Sequence, residues 1–415
     1  MENILINDGV VLHVHKTKKF KDTTVTVRFS TPINSKNASA RQLLGMMLVD
    51  RTSSFSTKVA MQTKCDMLYG ANLQHRVIGY GKLHVLDVEL HVLNGKLIDV
   101  DLLKEQFEFL NEVLFKPLLE PHVFEEAKRL AIERSARDMD DPSSYACDQL
   151  FSQGAASSPL AINSKGDANV YSQLELDDIV KEHKYLLCEN MVDVFVVGDV
   201  AENDVISLAE EFLPLKGKRE VESFYNLLVE QHDDIFEKKN IQQTMLCQLY
   251  RSQITVAEPT FWSLRVLNTI LGSSPVSLLF QEVREKRSLC YSVFSTIIAY
   301  DGALMIQTGI QKENIDLVLK LINEQITKLK KGDFSNELIE MSKDILCNNF
   351  LTLEDRVSNI IGLSFQDVLL KRTMSISDII TCVRNVDKEN VIQVANMLQH
   401  QCTFVLEQGE QNETI

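Results

Sequence analysis

The sequence predicts an α+β protein made of a duplicated unit, two sandwich-like halves that each combine a sheet with helices. Three observations predict it. Stretches such as TVTVRFS (24–30) and LHVLDVELHV (83–92) alternate apolar and polar residues with period two, the mark of a half-buried strand. Stretches such as VDLLKEQFEFLNEVLF (100–115) and NIDLVLKLINEQITKLKKG (314–332) carry the longer period of amphipathic helices. The order of parts then recurs: strand, helix, strand, helix, helix. Mixed helices and hairpin-like strands imply an α+β sandwich in each half. Each unit is roughly 200 residues, a size that one core can support.

In the first half, TVTVRFS is followed by a helical stretch, ARQLLGMMLV (40–49). KCDMLYGANLQHRVIGYG (64–81) leads into the strand LHVLDVELHV. The helix 100–115 is punctuated by Pro117 and Pro121, and HVFEEAKRLAIERSARDMD (122–140) is a second long helix stopped near Pro142. This half closes with a strand, VDVFVVGDV (192–200), and a helix, ENDVISLAEEFLP (202–214).

In the second half, TMLCQLYRS (244–252) is a strand and TFWSLRVLNTILG (260–272) a helix ended by Gly272. SLLFQEVREKRSLCYSVFSTIIAYDG (277–302) takes the place of 64–81, and ALMIQTGI (303–310) is the next strand. The helix 314–332 ends at Gly332 with lysines in its last turn, as the helix dipole favours. DFSNELIEMSKDILCNNFL (333–351) is a helix with Ser335 as its N-cap. ENVIQVANMLQ (389–399) and CTFVLE (402–407) close the half as helix and strand. The domains are therefore read as 1–215 and 241–415, with 216–240 as a linker plus an entering strand.

Composition narrows the function. The 415 residues are 45% apolar and carry a formal net charge of −15. That balance argues against wrapping nucleic acid or lying on an anionic membrane, which both want a basic surface. No apolar run approaches the roughly 20 residues of a membrane span, and MENILINDGV lacks the pattern of a signal peptide. The eight cysteines are scattered without a C-x-x-C pair, so they read as reduced, mostly buried thiols. The expectation is a cytoplasmic protein. Phosphate loops of the Walker type and G-x-S-x-G elbows are both absent from the sequence.

The residues LLFQEVREKRSLCYSV (278–293) carry a resemblance. Leu279, Phe280, Val283, Arg284, Glu285, Lys286, Leu289 and Tyr291 match the form L-F-x-x-[VI]-R-E-K-x-x-L-x-Y. With the duplicated unit, this resembles the pitrilysin-type zinc metallopeptidases, the inverzincins, over nearly the whole chain. The resemblance implies two similar domains facing each other across a chamber. It also implies that Arg284 and Tyr291 reach a substrate there, Arg284 holding a carbonyl and Tyr291 donating to the developing oxyanion. The plainer reading is an exposed Arg284 paired with Glu282 or Glu285, worth under about 1 kcal/mol, and a strand-start Tyr291.

Active members carry H-x-x-E-H in the first helix, two zinc ligands one turn apart and a general base. This chain has no such motif; set against it, Gln42, Gly45 and Met46 stand where His, Glu and His belong. A glycine has no side chain, a glutamine is a weak neutral ligand, and a thioether is a poor one for zinc. Glu133 stands at the family's downstream carboxylate position, where its ordinary reading is a solvated helix residue. His13 and His15 share a face of VVLHVH without a third ligand, and His84 and His91 fall on opposite faces of their strand.

Kept donors beside a lost metal motif imply the non-catalytic subunit of a heterodimeric, bacterial-type peptidase. The partner chain would carry H-x-x-E-H and the zinc, this chain would hold no metal, and the substrate would be a peptide added to a sheet edge. A homodimer would be unsurprising when the partner is absent, since a surface shaped to close a chamber is then uncovered. The alternative is a structural scaffold or peptide-binding protein without catalytic contribution.

Overall fold

The computed structural model describes residues 2–219, 221–229 and 233–409. Glu220 and residues 230–232, which fall in the segment read as a linker, lie outside the described residues, as does the tail beyond Gly409.

Two sheets share one plan. The first contains β1 (Glu2–Asn7), β2 (Val10–Lys16), β3 (Asp22–Pro32), β4 (Asn72–Tyr80), β5 (Leu83–Leu93) and β6 (Met191–Gly198), in the order β1-β2-β6-β3-β5-β4. The second contains β7 (Ile235–Lys239), β8 (Thr244–Arg251), β9 (Cys290–Ile298), β10 (Ala303–Ile310) and β11 (Gln399–Gln408), in the order β7-β11-β8-β10-β9. In each sheet one pair is parallel, β2 with β6 and β7 with β11, and the other pairs are antiparallel. Among the described residues, β1 is the one strand without a counterpart in the second sheet. The equivalence corrects one detail of the sequence reading. The closing strands β6 and β11 are each preceded by a helix, so the helix after β6 is the extra element.

The helices of the first half are α1 (Ser35–Leu48), α2 (Lys58–Met67), α3 (Leu102–Phe115), α4 (Pro121–Asp140), α5 (Pro142–Gly154), α6 (Ala168–Gln173), α7 (Leu176–Glu189) and α8 (Glu202–Phe212). Those of the second half are α9 (Phe261–Leu271), α10 (Ile315–Lys331), α11 (Asn336–Leu351), α12 (Val357–Leu370), α13 (Ile376–Arg384) and α14 (Lys388–Met397). The sequence reading omits α2, α5, α6, α7, α12 and α13. Pro142 explains α5. It stops α4 and opens α5, where Asp141 caps the Ser144 amide at 2.8 Å and proline sits in the first turn.

By contacts the chain forms two units, one of Met1–Arg137, Ile162–Glu222 and Val357–Ser364, the other of Asp138–Ala161, Ser223–Arg356 and Phe365–Ile415. Relative to the ranges read from sequence, the piece with α5 moves into the second unit and the start of α12 into the first. Helix α5 rests on β8 and β11, with Ala146 and Leu150 fully buried.

In the first unit the alternating strands are buried on both faces. Val25, Val27, Phe29, Leu86, Val88 and Leu90 enter the apolar core. The polar partners Thr24–His91, Thr26–Glu89 and Arg28–Asp87 stand directly opposite one another across β3 and β5, joined by hydrogen bonds of 2.8, 2.8 and 2.7 Å. Period-two alternation thus marks a face zipped by cross-strand polar pairs, not a solvated one.

Candidate functional site

Helix α1 opens with a capping box: Asn34 accepts from the Asn37 amide at 2.9 Å, and the Asn37 side chain accepts from the Asn34 amide at 2.9 Å. It carries the three positions that stand for the metal motif. Gln42 is half-buried, while Gly45 and Met46 are buried, Met46 within the core cluster. Gly45 is tightly packed. A Cβ there would lie 2.6 Å from His75 Cδ2 and 2.9 Å from Leu86 Cδ1. The ring of His75, on β4, therefore fills the space into which a side chain at 45 would project.

Helix α4 buries Val123, Phe124, Ala127 and Ala131 at three- and four-residue spacing. Glu133 points elsewhere, half exposed and bound to Arg129 at 2.7 Å across one turn. Glu126 accepts from Lys58 at 2.7 Å and Arg51 at 2.6 Å, and these hydrogen bonds hold its carboxyl below the usual range. Arg134, one turn beyond Ala131, acts on His75. Burial first, then the Arg134 charge, brings the His75 ring down to about 4, so it is neutral at pH 7. Gln42, Gly45 and Met46 do not fit a zinc ion, and among the described residues no three His, Cys, Asp or Glu side chains converge as a metal set. His13 is a core residue, its two ring nitrogens 2.8 Å from Asn3 and 2.8 Å from Asp193.

The second region is built differently. Leu279 and Val283 are fully buried and anchor a π-helical turn, Phe280–Glu285, in which the Lys286 amide donates to Gln281 at 3.0 Å. Such a turn adds a residue to the helix and is frequent at functional sites. Here it presents Arg284, whose guanidinium carbon lies 4.5 Å from the Phe280 ring centre and 5.5 Å from that of Tyr291. Glu285 is 3.7 Å away, while Glu282 is occupied by Lys286 and Arg287, at 2.9 and 3.0 Å. Arg284 thus stacks between two aromatic rings beside a loose ion pair.

Tyr291 lies on β9, an edge strand of its sheet. The register carries Cys290 opposite Ile310 and Val293 opposite Thr308, so Tyr291 and Ser292 together oppose Gly309. That is a β-bulge, a device that re-aims side chains. Tyr291 is 82% exposed. Among the described residues its hydroxyl has no hydrogen-bond partner, nor does the Arg284 guanidinium. Two irregularities of backbone thus bring a cation and a phenol into contact and leave their polar atoms open. Cys290 is no nucleophile here, since burial pushes its thiol up.

Sequence reasoning missed His75, Arg134 and Phe280 as parts of these regions. Phe280 was visible as a motif letter; the other two gave no signal beyond ordinary strand and helix positions.

A family model described as the peptidase M16 inactive domain matches residues 173–346. The probable inactive metalloprotease YmfF of Bacillus subtilis is 26% identical over 97% of this chain and 96% of its own length. The uncharacterized zinc protease YmxG of the same organism is 27% identical over 52% of this chain and 53% of its own. A solved structure of a conserved protein from Enterococcus faecalis matches with TM-score 0.93 and 26% identity over 99% of both chains. A protease from Helicobacter pylori shares the fold, with TM-score 0.81 and 17% identity over 98% of this chain and 99% of that one.

Proposed function

Because the chain belongs to the pitrilysin-type metallopeptidase family as an inactive member, we propose that it is the non-catalytic subunit of a heterodimeric zinc peptidase. The partner is a homologous chain with H-x-x-E-H, which supplies the metal and the general base. This chain supplies Arg284 to a substrate carbonyl and Tyr291 to the oxyanion of a peptide. The setting is the cytoplasm of a bacterium, where the free, scattered cysteines suit a reducing compartment.

One observation carries the reading: the guanidinium lies over the phenol ring, Arg284 half-buried and Tyr291 exposed, and among the described residues neither polar end has a hydrogen bond. A surface tyrosine with no other duty would not need a bulge to aim it. Donors placed where negative charge develops are worth about 10²–10³ in turnover. The substrate would add as a strand to the open edge of β9.

The test is co-expression with a homologous chain carrying H-x-x-E-H, followed by a peptide-hydrolysis assay. Tyr291→Phe and Arg284→Ala should each lower turnover by about 100-fold with the heterodimer intact by size exclusion. Unchanged turnover would mean a scaffold. Failure of the two chains to associate would leave a homodimer of this chain as the assembly to account for.

A further inference from the structure

Beneath helix α5 lie two thiols and a thioether that the proposed function does not use. Strands β8 and β10 pair so that Gln307 stands opposite Cys247 and Met305 opposite Leu249. Opposed residues share a face, and residues two apart return to it. Cys247, Met305 and Gln307 therefore line one patch. Helix α5 brings Cys147 onto it, with Sγ 3.7 Å from Met305 Sδ and 3.3 Å from Gln307 Oε1. Cys147 thus touches the side chain that stands directly opposite Cys247 in the ladder, which sets the two thiols on one patch.

The two thiols are unlike. Cys147 is half-buried and Cys247 fully buried, so a small reagent meets Cys147 first. The neighbouring Cys247 thiol holds the Cys147 thiol below its ordinary value. The Cys147 thiol, with burial, pushes Cys247 well above. Thiolate is the nucleophile, which gives Cys147 the attack. Burial instead pushes Cys65, Cys347 and Cys402 up, Cys402 to about 11.

We propose that Cys147 and Cys247 form an oxidative modification site, at which a hydroperoxide converts the pair into a disulfide joining α5 to β8. The Cys147 thiolate attacks the peroxide, the O–O bond breaks, and hydroxide leaves to become water as Cys147 becomes a sulfenic acid. The Cys247 sulfur then displaces that hydroxyl. The S–S bond forms, the S–O bond breaks, and the departing hydroxyl takes the Cys247 proton as a second water. The two thiols lose two electrons and the peroxide gains them. The product ties Asp138–Ala161 to the sheet of the second unit and closes a long loop, which constrains the unfolded chain.

The experiment treats the full-length protein with hydrogen peroxide, blocks remaining thiols with iodoacetamide, and maps peptides without reduction. The expected result is a Cys147–Cys247 cross-linked peptide that dithiothreitol removes, and a Tm raised by several degrees. In Cys247→Ser the reaction should stop at a Cys147 sulfenic acid trapped by dimedone. Recovery of both thiols alkylated while the exposed Cys188 is oxidised overturns the proposal, as does a different pairing. The wild-type map decides the matter even if a variant folds poorly.

Discussion

Gly45 and Tyr291 stand in the two regions that the resemblance singles out, and their surroundings are opposite. Around Gly45 the molecule is closed: a histidine ring packs where a side chain would project, and the neighbouring carboxylates are spent on surface ion pairs. Around Tyr291 it is open: a π-turn and a bulge, both departures from regular backbone, hold a cation against a phenol at the surface. Packing fills whatever loses its function, because an empty polar cavity costs stability. Irregular backbone persists only where something retains it. The contrast therefore separates a region packed as core from one left open at the surface.

The largest effect should come from forcing the closed region open. Gln42→His, Gly45→Glu and Met46→His together restore the letters H-x-x-E-H. The side chain at 45 must displace His75 and Leu86, and a carboxyl enters the core. A loss of about 3 kcal/mol or more is expected in urea unfolding, without stoichiometric zinc by elemental analysis. Adding His75→Ala should return part of the stability. A variant that binds zinc at unchanged stability would break the comparison.

Next in size is the response to acid, which should divide the two units. His75 and His84 fall to about 4 and about 3 in the folded protein, both chiefly through burial. A depressed imidazole contributes stability above about 6.5, its unfolded value, and loses it as pH falls. Between pH 7 and 5 the first unit should lose on the order of 2–4 kcal/mol. Asp301, in the second unit, is raised by burial to about 6. Its contribution is complete below the unfolded carboxyl value near 3.8 and is lost as pH rises through 6, so the second unit should gain about 1 kcal/mol over the same interval. Hydrogen exchange of β3 and β5 amides against β8 and β10 amides at pH 7 and 5 reads the difference. Parallel behaviour of the two sheets would contradict it.

Smaller still, Arg284→Ala and Tyr291→Phe should leave the isolated chain within about 0.5 kcal/mol of wild type, since Tyr291 is exposed and Arg284 makes only a loose ion pair and ring contacts near the surface. A larger loss in thermal melts would make the open region a structural one. The smallest effect sharpens the closed region. Arg134→Gln should raise the His75 value modestly from about 4, seen by NMR titration, because burial and not Arg134 dominates there.

Much of this was legible in the sequence where a rule is local. Alternation found β3 and β5, helical periodicity found α3, α4 and α10, and the motif letters found Arg284 and Tyr291. The helices α5 and α12 escaped because their apolar residues leave no clean stripe, whereas α7 carries a stripe that the sequence reading passed over. The burial of Thr26 and Glu89 escaped because a polar letter does not announce that its partner stands across the strand. Gly45 was legible as a loss; that His75 fills the space is a tertiary fact, set by a ring from a different element.

The exchange of α5 and the start of α12 between units has a consequence for synthesis. The first unit contains Val357–Ser364, so it stays incomplete until most of the polypeptide has left the ribosome. At about 5–20 residues per second, its sheet waits tens of seconds for its last piece. A gene split at the midpoint would yield two fragments, each lacking a piece that only the other encodes: the start of α12 for the first unit, α5 for the second.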